Sequence, residues 1–221
     1  MKLTQFMLIC AVTLGLPFGA NAGLQLEGVK DGVAQLQTEW ARIKYEMTDE
    51  DAQLEAIHKL EAKGQDLITR YPDTPELLTW QGIILATDAG IVGGISALGK
   101  VDDARELFKK SIAIDSAALN GSAYTSLGAL YYQVPPWPLA FGSDDKAKEF
   151  LLAGLALNPD GIDSNYFFGD FMRQNDQLED AKAFFEKALK APDRPDRPTA
   201  DAGRRAEIKQ ALKEINQELA D

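Results

Sequence analysis

The stretch Asn165-Tyr166-Phe167-Phe168-Gly169-Asp170-Phe171-Met172, continued by Ala181, Phe185, Ala188 and Pro192, decides the fold of this chain. Tyr166, Phe168-Gly169 and Met172 recur at helical spacing, and so do Ala181, Phe185 and Ala188. Gly169 lets a first helix approach a second closely, Ala181 and Ala188 keep the crossing tight, and Phe185 fills the groove between them. Pro192 then ends the second helix. The same marks recur upstream as Leu127-Gly128, Tyr131, Ala147, Leu151, Gly154 and Pro159, and again as Gln81-Gly82, Leu85, Ala104, Phe108, Ser111 and Ser116. Three units are expected, at about residues 74–116, 119–159 and 162–192.

The pattern resembles the tetratricopeptide helix-turn-helix repeat, which implies an all-α fold: a tetratricopeptide-like α-solenoid of about three repeats over residues 71–197, with loop insertions and helical caps. The glycine-to-alanine distance is 12 residues in the last unit, 19 in the middle one and 22 in the first. The excess of 7 and 10 residues is expected as loop between the paired helices of those units. Thr74 with Pro75, Ser143 and Asn120 are placed to start helices, and Asn158-Pro159-Asp160-Gly161 is a turn signal. Asp102-Asp103, Asp144-Asp145 and Glu179-Asp180 each read as the acidic opening of a second helix, where carboxylates complement the helix dipole. N-terminal to the repeats, Val29, Val33, Leu36, Trp40, Ile43 and Met47 make an amphipathic helix, a second helix spans about Asp49 to Arg70, and residues 23–70 read as a cap. Ile208, Leu212, Ile215 and Leu219 mark a C-terminal capping helix within residues 198–221.

Residues 1–22 read as a secretory signal peptide: Lys2, an apolar run from Phe6 to Leu16, Pro17, then Ala20-Asn21-Ala22 as a small-x-small cleavage site. The run is shorter than the roughly 20 apolar residues a spanning helix needs. Met7-Leu8-Ile9 before Cys10 lacks the small residues of lipoprotein processing. Cleavage after Ala22 gives a periplasmic protein without cysteine, and its formal charge is −12 because Lys2 is the only charge removed from the −11 of the whole chain. So acidic a chain with no long basic run argues against nucleic acid as a partner.

Gly94-Ile95-Ser96-Ala97-Leu98-Gly99-Lys100-Val101 satisfies seven places of a phosphate-binding loop but puts Val101 where Ser or Thr would hold magnesium, with no strand ahead of it. The reading preferred for Asp88 to Gly99 is a glycine-rich insert whose Ile91, Val92, Ile95 and Leu98 pack on another subunit, giving a homo-oligomer. In the middle insert three prolines and two aromatics, Val134-Pro135-Pro136-Trp137-Pro138-Leu139-Ala140-Phe141-Gly142, make either a rigid cavity wall or docking loop, or a loop covering the interhelical groove. Trp137, Phe141 and Pro136, with Tyr124, Tyr131 and Tyr166 from the first helices and Asn120 at the start of unit two, are the candidate ligand- or partner-binding residues. His58 is the sole histidine, so neither a His/Cys metal site nor a His-based triad is supported. The chain reads as a binding module, not an enzyme, and no cofactor is expected.

The runs Trp80-Gln81-Gly82-Ile83, Leu119 to Gly128, Pro135-Pro136-Trp137-Pro138 with Phe141-Gly142, and Asn158-Pro159-Asp160-Gly161 resemble the TatT family, periplasmic tetratricopeptide-type components associated with TRAP transporters. The resemblance spans roughly Tyr71 to Leu219. It implies a module that assembles with itself and cooperates with a periplasmic substrate-binding protein in passing a small hydrophobic or organic-acid ligand toward a permease. The rival reading from the residues is a protein–protein interaction scaffold of the cell envelope with no small-molecule ligand.

Overall fold

The computed structural model describes residues 18–220, with side chains from residue 23 onward except that of Leu24. The described residues form nine α-helices: α1 (Phe18–Glu46), α2 (Glu50–Arg70), α3 (Pro75–Val92), α4 (Leu98–Ile114), α5 (Ser122–Gln133), α6 (Asp144–Leu157), α7 (Ile162–Gln174), α8 (Leu178–Leu189) and α9 (Pro198–Glu218). Of the signal-peptide reading of residues 1–22, residues 1–17, Cys10 included, lie outside the described residues, and Phe18 to Ala22 are the first residues of α1. The chain is an all-α, tetratricopeptide-like solenoid. Three hairpins, α3/α4, α5/α6 and α7/α8, are its repeats, α1/α2 adds a fourth hairpin at one end, and α9 packs on the other.

One interlock is repeated three times. Ala104, Phe108 and Ser111 of α4, Ala147, Leu151 and Gly154 of α6, and Ala181, Phe185 and Ala188 of α8 are all buried against the partner helix. Opposite them stand Gly82, Gly128 and Gly169. A Cβ on Gly82 would lie 2.6 Å from the Phe108 ring, whereas one on Gly169 would lie 3.2 Å from Phe185 and from the Ala181 carbonyl, so the first crossing is the tighter. Ser111 stands where α8 has Ala188. Its hydroxyl is satisfied by the Pro75 carbonyl at 2.9 Å and the Thr79 hydroxyl at 2.8 Å, which offsets the cost of burying a polar group there.

The two insertions have different physical origins. In the middle unit the excess is loop, between Gln133 and Asp144. In the first unit it is mostly helix, which corrects the expectation of a loop. α3 continues ten residues past Gly82, where α7 continues five past Gly169, and α4 begins six residues before Ala104, where α8 begins three before Ala181. Asp88 and Ala89 are thus buried in α3, and only Gly93-Gly94 and a 3-10 turn at Ile95–Ala97 connect the pair. Asp102-Asp103 consequently fall past the first turn of α4, while Asp144-Asp145 and Glu179-Asp180 do open their helices. Ser143 caps α6 through the Lys146 amide, and Thr74 occupies the cap position of α3 without a side-chain bond. Asn120 caps nothing. Leu119, Asn120 and Gly121 form a left-handed turn at φ 50°, 54° and 75°.

Helices α1, α3, α5, α7 and α9 face inward, and the first and last of them touch. Trp40 of α1 packs edge-on to Trp80 of α3 at 5.8 Å and donates through Nε1 to Thr87 at 2.8 Å. From the same stretch of α1, Tyr45 donates to Glu207 of α9 at 3.3 Å, and Gly203 of α9 lies flat on the Tyr45 ring. Ala200 of α9 belongs to the same core as Leu36, Ile43, Ile57 and Leu77. The two caps do more than shield the ends of the stack: they meet, and the solenoid closes on itself.

Candidate functional site

Ring closure leaves a lumen between the five inward helices. It has two compartments sharing Trp40, Ile83, Ser126, Phe167 and Arg204. The larger, about 380 Å³, is bounded by Ile43, Ala86, Thr87, Leu130, Tyr166 and Glu207. The smaller, about 240 Å³, is bounded by Trp80, Leu119, Asn120, Thr125, Asp163, Arg194 and Arg197. Apolar and aromatic walls with a few convergent polar groups are the usual make-up of a ligand pocket.

The polar groups are set by the chain just before and within α9. Asp163, at the start of α7, accepts from Arg204 Nε at 3.0 Å on one oxygen and from Arg194 Nη1 at 2.7 Å on the other. Arg194 is held in turn by Asp201, through both its backbone amide and its Nε at 2.7 Å. Arg204 also donates to Glu207 at 2.7 Å and lies over the Tyr166 ring at 4.0 Å and the Phe167 ring at 4.8 Å. Burial works to raise the Asp163 carboxyl, but Arg204, Arg194 and Arg197 outweigh it and hold the group well below the ordinary carboxylate range. Burial likewise pushes the Tyr45 hydroxyl up, well above its ordinary range. Arg197 differs from its neighbours. Its side chain is 17% exposed, its nearest carboxylate oxygen is Asp163 Oδ2 at 4.0 Å, and its buried Nε has no hydrogen-bond partner among the described residues. It rests over the Trp80 ring at 5.1 Å.

The structure distributes the sequence-derived candidates over three places. Tyr166 lines the larger compartment and Asn120 the smaller. Tyr124, Tyr131 and Phe141 form an aromatic row outside the lumen. Tyr124 and Tyr131 stack on Phe150 of α6 at 6.2 and 5.5 Å, and Phe141 meets Tyr131 edge-on at 5.2 Å beneath the Arg105 guanidinium. Pro136 and Trp137 belong to the loop between α5 and α6, where Trp137 is 85% exposed. That loop is pinned by Gly142 donating to the Pro135 carbonyl at 2.9 Å and Ser143 donating to the Tyr131 carbonyl at 2.8 Å. A Cβ on Gly142 would run into the Val134 carbonyl, so glycine is required there. Val134, Pro135 and Leu139 of the loop line an outer apolar cleft of about 370 Å³ with Ile95, Leu98 and Val101. Of the run expected to face another subunit, Ile91 and Leu98 pack within this chain, while Val92 and Ile95 are exposed.

Sequence reasoning missed the arginine cluster, whose only signal is the spacing Arg194, Arg197, Asp201, Arg204 near the start of α9. It also missed fully buried Asp88, which pairs with Lys100 at 2.6 Å and lies 3.3 Å from His58 Nε2. Lys100, the lysine of the phosphate-loop look-alike, bonds Glu61 as well at 2.7 Å, and helix α3 stands where a strand would precede such a loop. The left-handed turn at Leu119 and Asn120 stores strain of order 1–3 kcal/mol per residue at the lumen wall.

Comparison with known proteins agrees with the architecture. Residues 162–193 match the family model of the tetratricopeptide repeat, on the α7/α8 hairpin whose sequence carries the clearest repeat marks. No curated protein matches the chain. Among solved structures, TTC0263, a thermophilic TPR protein of Thermus thermophilus, superposes with a TM-score of 0.56 at 18% identity, over 87% of this chain and 96% of that one. MamA gives a TM-score of 0.44 at 19% identity, over 79% of this chain and 98% of that one. The first likeness shows the fold: a tetratricopeptide-type solenoid.

Proposed function

We propose that this chain is a non-enzymatic binding module whose ligand is a small molecule held in the lumen between the inward helices. The observation that carries this reading is the seam between α1 and α9. A tetratricopeptide solenoid left open offers its concave face to peptides or folded partners, but here the contact between α1 and α9 narrows that face to two small, half-open compartments. The resemblance of the stretch from Tyr71 to Leu219 to TatT proteins supports a place in ligand uptake, with a TRAP-type substrate-binding protein as partner and export by a signal peptide cleaved after Ala22. Native mass spectrometry of the protein purified without denaturation tests the lumen. Parent protein is expected to carry a small bound mass that Ser126→Phe, which fills the wall common to both compartments, removes. An empty parent spectrum identical to that of Ser126→Phe would overturn the reading. N-terminal sequencing of exported material tests the cleavage, with Gly23 expected as the first residue.

A second reading, a protein-interaction scaffold, is favoured by the outer apolar cleft with Ile95 and Leu139 at 81% and 64% exposure. Solitary exposed apolar residues are ordinary, but a cleft lined by several marks a contact surface. Homo-oligomerisation through this edge is the form of it that the TatT resemblance supports. Light scattering of the parent and of Ile95→Asp tests it, and a monomeric mass for the parent would overturn it.

A further inference from the structure

Every charge that borders the smaller compartment already has a counter-charge. Arg194, Arg197 and Arg204 stand against Asp163, Asp201 and Glu207, three against three: Asp163 meets all three guanidiniums, Asp201 holds Arg194, and Glu207 holds Arg204. A ligand with a net charge would enter this cluster uncompensated or break one of its pairs. The groups left over are neutral. Gln37 of α1, Asn120 of the left-handed turn, Ser126 of α5 and Asn158 at the end of α6 bring three amides and a hydroxyl to the compartment from four segments. None of these side chains makes a hydrogen bond to the other described residues, so all four are available to a ligand.

Resting on the lumen reading, we propose that the smaller compartment is a site for a neutral polyhydroxylated molecule, a single sugar ring or a short open-chain polyol. This sets the ligand apart from the hydrophobic or organic-acid molecule that the TatT resemblance implies. A hydroxyl both donates and accepts, so it complements either end of an amide and the Ser126 hydroxyl alike. A hydrocarbon chain in the same place would strip water from Gln37, Asn120, Ser126 and Asn158 and return no hydrogen bond. The apolar share of the wall, from Trp40, Ile83 and Phe167, suits the C–H faces of such a molecule. The volume, about 240 Å³, lies under the roughly 300–1,000 Å³ usual for drug-sized ligands, which suits one ring.

Calorimetric titration of the parent with sorbitol and D-glucose tests it against gluconate, which puts a charge on the same carbon chain, and 1-hexanol, which keeps a single hydroxyl. The better of the two neutral polyols is expected to bind at least about tenfold more tightly than gluconate or hexanol. Gln37→Leu keeps the bulk on α1 and Asn120→Gly keeps the left-handed turn, and each removes one amide. Each is expected to weaken the polyol by about three- to tenfold, the scale of one hydrogen bond, and to leave hexanol no weaker. Gluconate binding as tightly as the polyols, or hexanol more tightly, would overturn the proposal. So would variants that melt cooperatively and hold the polyol as well as the parent does. If neither polyol binds, the accurate mass of the molecule released from the parent in native mass spectrometry decides. A neutral, oxygen-rich composition sustains the polyol class, whereas a fatty or acidic one overturns it and leaves the lumen reading standing. A parent that retains no molecule and binds none of the four probes overturns both.

Discussion

Gly203→Ala tests the closure on which the lumen depends. Built on the backbone of α9, a Cβ at Gly203 lies 2.3 Å from two ring carbons of Tyr45 and 2.6 Å from a third, where ordinary contact begins near 3.4 Å. The ring would have to retreat by about 1 Å, and little room is provided: it is edge-on to Trp40 at 5.8 Å and its hydroxyl is tied to Glu207. Overpacking of this kind costs about 1–3 kcal/mol. Alanine returns roughly 0.5–1 kcal/mol in a helix through lower backbone entropy, so the net loss is about 1–2 kcal/mol. Because the strain falls on the seam, it should appear as local opening. Amides at the start of α9 and the end of α1 are expected to exchange roughly 5- to 30-fold faster, while those of α7 and α8 keep the parent rate. Gly90→Ala is the control, since a Cβ there meets nothing within 4 Å, and it should be neutral or stabilising. Hydrogen exchange read by mass spectrometry measures both. If Gly203→Ala exchanges at the seam no faster than the parent, the ring is not closed by this contact.

The repeat interlock predicts an asymmetry. Gly82→Ala drives a Cβ into the Phe108 ring and should lower the melting temperature by several degrees, whereas Gly169→Ala meets contacts of 3.2 Å and should be near neutral, as calorimetry will show. Asp163 has a depressed carboxyl pKa in the fold, so the stability it contributes is complete above about pH 4, its unfolded range, and is lost as pH falls below that. Asp163→Asn should therefore be less stable than the parent at neutral pH, by about 3–5 kcal/mol for a pairing of this kind, and flatter in a pH series of urea melts below pH 4. Trp137→Ala should leave both the melt and ligand binding unchanged, because the side chain is 85% exposed and borders neither lumen compartment; a lowered melt would show that it holds the loop.

Local patterns carried far and long-range ones did not. Gly169, Ala181 and Phe185 disclose a helix pair because their meaning is a contact between neighbours in the chain, and that contact is found with Phe185 and Ala181 fully buried. The length of α3 was hidden by Gly90, Gly93 and Gly94: a glycine-rich segment reads as loop, yet Asp88 and Ala89 are buried in helix, with Asp88 matched by Lys100 across the hairpin. Tyr166 lines the lumen because the first helices of repeats face inward, and Asn120 reaches the wall from the left-handed turn before α5, whereas Tyr124 and Tyr131 stack on Phe150 and Phe141 meets Tyr131 from the loop, an orientation that spacing alone leaves open. Closure itself was beyond the reach of pattern. Trp40 and Ile208 each mark a helix with an apolar face, but nothing in either helix states that Tyr45 and Glu207, 162 residues apart, will meet.

That meeting changes the shape of the inward face. In an open solenoid the inward helices and the partner surface are the same thing. Here the contact between α1 and α9 narrows the inward face to two half-open compartments of about 380 and 240 Å³. On the outside, Ile95, Trp137 and Leu139 stand exposed on the α3–α4 and α5–α6 connections. Arg204 ties the inner face together: it joins α9 to α7 through Asp163, is steadied by Glu207 of its own helix, covers Tyr166 and Phe167, and borders both compartments. Its positive charge is thereby committed to holding the wall. Arg197, seven positions earlier, rests on the Trp80 ring with Asp163 Oδ2 as its nearest carboxylate oxygen, so one carboxylate of α7 gathers three arginines onto the inner face.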